Sequence, residues 1–256
     1  RSSWMMGLVF FAILLMYLGI IISMYDPENL EAMSIMLEML PPEMVNAMGY
    51  GMIVTDMTTF VASYYFGFII VLFPMIYAIM LGNRLVARHV DRGSMAYLLS
   101  TPHTRTSIAT TQAAYLAMSS AILIAIIGAT GLAIAEGALP GDLDIGAYLK
   151  LVLGAMLLLV AISSICFFFS CLFNDSKYSL ALGGGIPVLF FLVSMLAGMS
   201  GSYEWLKYMT IFTLYEPASI IGGETIDIAR FAGLLGISVL LYISGVVIFR
   251  RKDLPL

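Results

Sequence analysis

Residues able to do chemistry are few in this chain and fall in a handful of places. Both histidines, His89 and His103, lie between residues 82 and 105, and the same stretch carries Arg84, Arg88 and Arg92 at i, i+4 and i+8. That spacing sets three guanidinium groups on one helix face, suited to pairing with acidic groups or anchoring at a membrane surface. Glu28, Glu31, Glu38 and Glu43 alternate with Leu30, Met33, Met36, Leu37 and Leu40. Their pattern is that of a solvated amphipathic face, and nothing in it gathers several oxygens around one cation. Cys166 and Cys171 stand at i, i+5, about 140° apart on a helix, and read as small apolar packing residues. There is no HExxH, no GxSxG and no phosphate-cradling loop with its lysine, so an enzyme is not expected. The available chemistry is docking and anchoring.

The elements that position these residues follow from composition. Apolar residues make up 61% of the chain and charged residues 11%, too little polar surface for a water-soluble globule. A helix crosses a hydrocarbon core roughly 30 Å thick with about 20 apolar residues. Uncharged runs of that length separate Arg1 from Asp26, Asp56 from Arg84, Arg105 from Glu136, Lys150 from Asp175, Lys177 from Glu204, and Arg230 from Arg250. The expected fold is an all-α, polytopic membrane protein with six transmembrane helices in one domain, 1–256. The spans fall at about 4–25, 58–81, 107–135, 151–173, 178–199 and 231–249, with Trp4 and Tyr25 as interfacial anchors of the first.

Charge gives the expected orientation. Alternating the loops from Arg1 places nine basic and three acidic residues on one side, and three basic and thirteen acidic on the other. Basic residues in short loops favour the cytoplasm, so both termini are expected there, in a bacterial cell membrane in contact with lipid. An amphipathic segment, 26–56, then lies outside, its helical pattern ended by Pro41 and Pro42. The connection 201–227, rich in Trp205, Tyr208, Phe212 and Tyr215 but too short to cross, reads as an outer interfacial or re-entrant piece. The third span is long enough to tilt or project. Pro74, Gly184 and Pro187 are candidate hinges, although the small residues here, like Gly128 and Gly131, serve close helix packing equally well.

Every charge falls at a span end or in a loop, with Asp56, Glu136 and Arg230 coming nearest to the membrane. A self-powered carrier is expected to keep ionisable residues inside. Energy must therefore come from another chain, unless the protein is a stand-alone channel or secondary carrier, or a scaffold without transport. The loop 82–105 contains an apolar cluster, Met95, Leu98 and Leu99, stopped by Pro102. Anchoring at the membrane explains its arginines but not this exposed apolar patch, which suits a partner surface.

Asp91-Arg92-Gly93-Ser94 followed by Leu98-Leu99-Ser100-Thr101-Pro102-His103-Thr104-Arg105 resembles the first cytoplasmic loop of permease subunits of ABC-2 type transporters. His89 stands where those permeases often have Glu, and Gln112 where they often have Lys, so an ion pair between the two places is absent or altered. The amphipathic helix that usually precedes their first span is either lacking here or lost from the start of the chain. The resemblance implies an exporter-type transmembrane domain whose loop is a coupling helix docked on a separate ATP-binding cassette subunit. Arg84, Arg88, Arg92, Met95, Leu98, Leu99, Pro102 and Arg105 are then the docking residues. It further implies that ATP and Mg stay with that partner, leaving no cofactor or metal in this chain. Two permeases, identical or related, would pair with two ATPases, with no nucleic-acid partner. An amphipathic or hydrophobic cargo would suit the spans.

Overall fold

Short polar residues at the mouths of the apolar runs fix where the helices begin. Asp56 accepts from the Thr59 amide at 2.8 Å while the Thr59 hydroxyl oxygen accepts from the Asp56 amide at 3.1 Å, a reciprocal cap on two otherwise orphaned donors. Thr104 accepts from the Ser107 amide, Asp144 from the Gly146 and Ala147 amides, and Asp175 from the Lys177 amide. The computed structural model describes residues 2–26, 35, 39–48, 52, 54–91, 104–199, 201–222 and 227–252. Among them are helices and connecting turns and no strand.

In chain order the elements are α1 (Ser2–Met24), α2 (Pro42–Ala47), α3 (Met57–Val61), a π-helix (Ala62–Phe66), α4 (Ile69–Leu85) and α5 (Ala87–Asp91). They continue with α6 (Arg105–Ala138), α7 (Ile145–Leu172), α8 (Ser176–Met199), two 3₁₀ helices (Gly201–Met209 and Ile211–Leu214), α9 (Pro217–Ile221) and α10 (Asp227–Arg251). Six stretches are long and apolar enough to cross a membrane: Met5–Met24, Met57–Asp91, Arg105–Ala138, Ile145–Leu172, Ser176–Met199 and Ile228–Arg251. Pro42, expected only to end a helix, begins α2, since a first-turn position needs no amide donor.

α7 is the centre of the bundle. It packs against α4, α6, α8 and α10, and 67% of its most apolar window is buried, against 17% in α10 and 22% in α1. Its buried residues run all round the helix, as a helix surrounded by others requires. Lipid offers no hydrophobic drive for helices to associate, so close contact must supply the attraction. Gly82 of α4 shows how: a Cβ there would lie 2.7 Å from Cβ of Cys166 on α7. Gly128 faces Val152, Gly131 faces Leu18 and Tyr148, and Gly184 faces Ile79 at similarly short range. Each of these glycines lies at a close approach of neighbouring helices, and α6 runs unbroken through two of them.

The second crossing is the irregular one. Regular helix gives way to the π-helix, then to a turn at Gly67 and Phe68, then to α4, and breaks again at Val86 (φ −123°, ψ −66°) before α5. Pro74 lies buried within α4 and Pro187 within α8. The discontinuities thus sit away from both prolines.

Candidate functional site

The loop 82–105 enters the structure through its two roots, because Arg92, Met95, Leu98, Leu99 and Pro102 lie outside the described residues. Arg84 ends α4 half-buried, whereas Arg88 is exposed on α5. The break at Val86 stands between them, so the two arginines occupy separate helices instead of one continuous face. This first root is keyed to its neighbours by two polar bonds. Asn83 Nδ2 donates to Ser176 Oγ at 3.0 Å, and the buried Ala87 amide donates to Ser170 Oγ at 2.9 Å. The Ala87 amide falls just beyond a helix break and would otherwise be unpaired. The Ser170 hydroxyl supplies the missing acceptor, and thereby ties α5 to the end of α7.

The second root, Arg105, opens α6 and donates from Nη1 to the Lys252 carbonyl at 2.9 Å. Lys252 in turn donates from Nζ to the Cys171 carbonyl at 2.9 Å. Cations at the C-terminal ends of α10 and α7 meet carbonyls that lack helical partners and the negative end of each helix dipole. Burial pushes the Lys252 ammonium down to about 8 from its usual 10.5, because removing water disfavours the charged form. Arg105, Lys252 and Cys171 therefore link α6, α10 and α7 in series. This end of the bundle carries both the first and the last described residues and both roots of the loop.

At the far end the contacts are aromatic. The segment joining α8 to α10 keeps Trp205 and Tyr208 exposed but buries Phe212, Tyr215 and Ile220, so it lies across the bundle and dips a few side chains inward without crossing. Tyr215 donates its hydroxyl to the Phe66 carbonyl at 3.3 Å, at the end of the π-helix. Its ring occupies the space left by Gly154 on α7, where a Cβ would lie 2.9 Å from the ring and 3.1 Å from Phe231. Two other buried tyrosines act alike. Tyr65 donates to the Leu14 carbonyl and Tyr148 to the Gly128 carbonyl. Glu216, next to Tyr215, is flanked by Lys207 and Arg230, each at 3.9 Å.

Sequence reasoning placed Arg105 on a docking surface; within the chain it is a tie to Lys252. It gave no role to Ser170 or Lys252, and read Tyr215 only as part of an outer interfacial or re-entrant piece. A tyrosine in an apolar membrane segment was the available signal, since a buried phenol needs a hydrogen-bond partner.

Among the described residues no group of three or more His, Cys, Asp or Glu side chains could hold a metal ion. No charged side chain there is buried as a whole, although one carboxylate oxygen of Glu136 is turned inward. The loop is rooted on three helices, α7, α8 and α10, and the second crossing is interrupted twice. Nothing among curated proteins matches the chain. A family model described as "ABC-2 family transporter protein" matches residues 1–254. With the match running from the first residue through the whole six-helix bundle, the chain belongs to the ABC-2 transporter family and is a membrane permease component of an ABC transporter.

Proposed function

We propose that this chain is the permease of an ATP-driven exporter in the cell membrane, powered through the loop 82–105 by a separate ATP-binding subunit docked on its cytoplasmic side. One observation supports that entry point above the others: the Ala87 amide bound to Ser170, beside Asn83 bound to Ser176. A push on the loop at this root is delivered to the end of α7, the most buried helix, and to the start of α8.

Met95, Leu98, Leu99 and Pro102 are the apolar contact, while Arg84, Arg88 and Arg92 steer the acidic side of the partner. Arg105 joins the docking face through its tie to α10. Two permeases, identical or related, work with two ATPases that hold ATP and Mg, and both termini of this chain face the cytoplasm. The break at Val86, together with Pro74, Gly184 and Pro187, takes up the motion as the ATPase pair closes.

Replacing Leu98 and Leu99 together by Asp tests the docking. The permease is expected to remain folded while its co-purification with the ATPase falls by about tenfold or more, the loss of a desolvated apolar contact. Undiminished association and undiminished permease-dependent ATPase stimulation would sink the proposal.

A further inference from the structure

We infer that the cavity at the interruption of the second crossing is a binding site for a small zwitterionic amphiphile, an ammonium and an anionic group on one short apolar body. The cavity, about 200 Å³, lies against Gly67 and Phe68, where the helix is unwound, and between α8 and the segment joining α8 to α10. Irregular backbone within a membrane crossing is tolerated where it is buried in protein or lines a cavity, and this turn does the latter.

The walls specify the ligand. Phe68, Phe191 and Phe212 form a run of rings with centroids 5.6 and 5.8 Å apart, and Tyr215 adds a fourth ring to the lining. These surfaces suit an apolar body and attract a cation over their faces. Ser194, Thr210 and Thr213 also line the cavity, and each gives its hydroxyl proton to a backbone carbonyl, of Phe191, Lys207 and Lys207 respectively. Such hydroxyls can only accept from a ligand. With the Glu216 carboxylate they make an acceptor-rich wall, matched to an ammonium.

Lys207 lines the same cavity, 3.9 Å from Glu216 and partly exposed. Glu216 also faces Arg230 at 3.9 Å and accepts from Ser219 Oγ at 3.1 Å; the two cation contacts are loose enough for an inserted zwitterion to join the cluster, acid group toward Lys207 and ammonium toward Glu216. Size limits the body to about one ring, since a cavity of about 150 Å³ accommodates benzene.

A free amino-acid-like solute and a phosphatidylethanolamine headgroup share this chemistry. As a station on the transport route the site rests on the reading given above; as a binding site it does not.

Binding is measured by equilibrium dialysis of radiolabelled L-phenylalanine against the full chain in phosphatidylglycerol nanodiscs, without ATP or ATPase, so a failed coupling loop leaves the result untouched. Saturable binding is expected. Phenethylamine, lacking the acid, and 3-phenylpropionate, lacking the amine, should compete about tenfold more weakly, one charge-assisted hydrogen bond each. Glu216→Gln and Thr213→Val should each weaken binding while the permease keeps its gel-filtration position and its ATPase association. Loss of binding in phosphatidylethanolamine discs assigns the site to the headgroup, and equal binding in both lipids assigns it to a free solute; either outcome upholds the site. Absence of saturable binding, equal competition by phenethylamine, or an unchanged Glu216→Gln variant overturns it.

Discussion

Rings sit in glycine slots at both ends of the bundle, Phe167 against Gly245 near the loop roots and Tyr215 against Gly154 at the far end. The loop roots themselves are tied by single polar bonds to helix ends, whereas the segment joining α8 to α10 is held mainly by its rings. A polar bond of the first kind contributes about 1 kcal/mol net, and about 0.6 kcal/mol on average between membrane helices. Lifting a buried aromatic side chain from its slot costs about 3 to 5 kcal/mol. The two attachments, of the loop and of the joining segment, thus differ in how readily they rearrange. Helices tied by Ser170, Ser176 and the Lys252 carbonyl can exchange partners with little loss. The Tyr215 latch resists until something fills or empties its slot.

The sharpest way to break this comparison is to fill the slot. Gly154→Leu forces Tyr215 and Phe231 apart and is expected to cost about 3 kcal/mol, the upper range for overpacking, read as a fall in thermal midpoint in nanodiscs. Next comes Ser170→Ala, which strands the buried Ala87 amide at a cost of about 1 to 2 kcal/mol. In the assembled transporter this variant is expected to keep ATPase association while losing permease-dependent stimulation of ATP hydrolysis. Tyr215→Phe keeps the ring in place and removes only the bond to the Phe66 carbonyl, about 1 kcal/mol. Combined with Ser170→Ala its effect should add within about 0.5 kcal/mol if the ends are independent. A clear departure from additivity would show that the latch and the loop root already communicate at rest.

The smallest effect concerns pH. Lys252 binds its proton with a value near 8 in the fold and 10.5 in the open chain. Between those values the unfolded state holds more protons, so stability rises with pH across that window and is lost again as pH falls through 8. Lys252→Met should flatten the dependence of thermal midpoint on pH between 8 and 10, and an unchanged slope would remove Lys252 as its source.

Much of the fold was legible because charge is so costly in lipid. Gaps between ionisable residues marked the six crossings. The capping residues Asp56, Thr104, Asp144 and Asp175 stand at or close to the borders those gaps implied. The interior was less legible. From Phe60 to Phe68 the sequence is an aromatic-rich run broken only by Ser63 and Gly67, and nothing local distinguishes α from π winding there. The interruption is matched by Tyr215, about 150 positions away in the chain. Proline is where backbone disruption is intrinsic, and helix winding includes Pro74 and Pro187, while the breaks in winding fall at Gly67, Phe68 and Val86, which carry no such signal except the glycine. The glycines admitted two readings from sequence, and the close neighbours Cys166, Leu18 and Ile79 are not visible there. Arg105 was legible as a cation at a loop end. Its acceptor, a carbonyl just past the sixth crossing, carries no side-chain signature at all.

α6 has 34 residues, about 51 Å of helix at the usual rise, where about 30 Å of hydrocarbon has to be crossed. Its first turns are polar, and Thr110 and Thr111 bond back to the carbonyls of Thr106 and Ser107, so this stretch is self-satisfied in headgroups or in water. Through Arg105 the same stretch also holds the last turn of α10. The height at which the loop root stands above the lipid therefore depends on bilayer thickness. Under the proposed coupling, acyl chain length in the surrounding membrane becomes a control on how well the loop reaches the ATP-binding subunit.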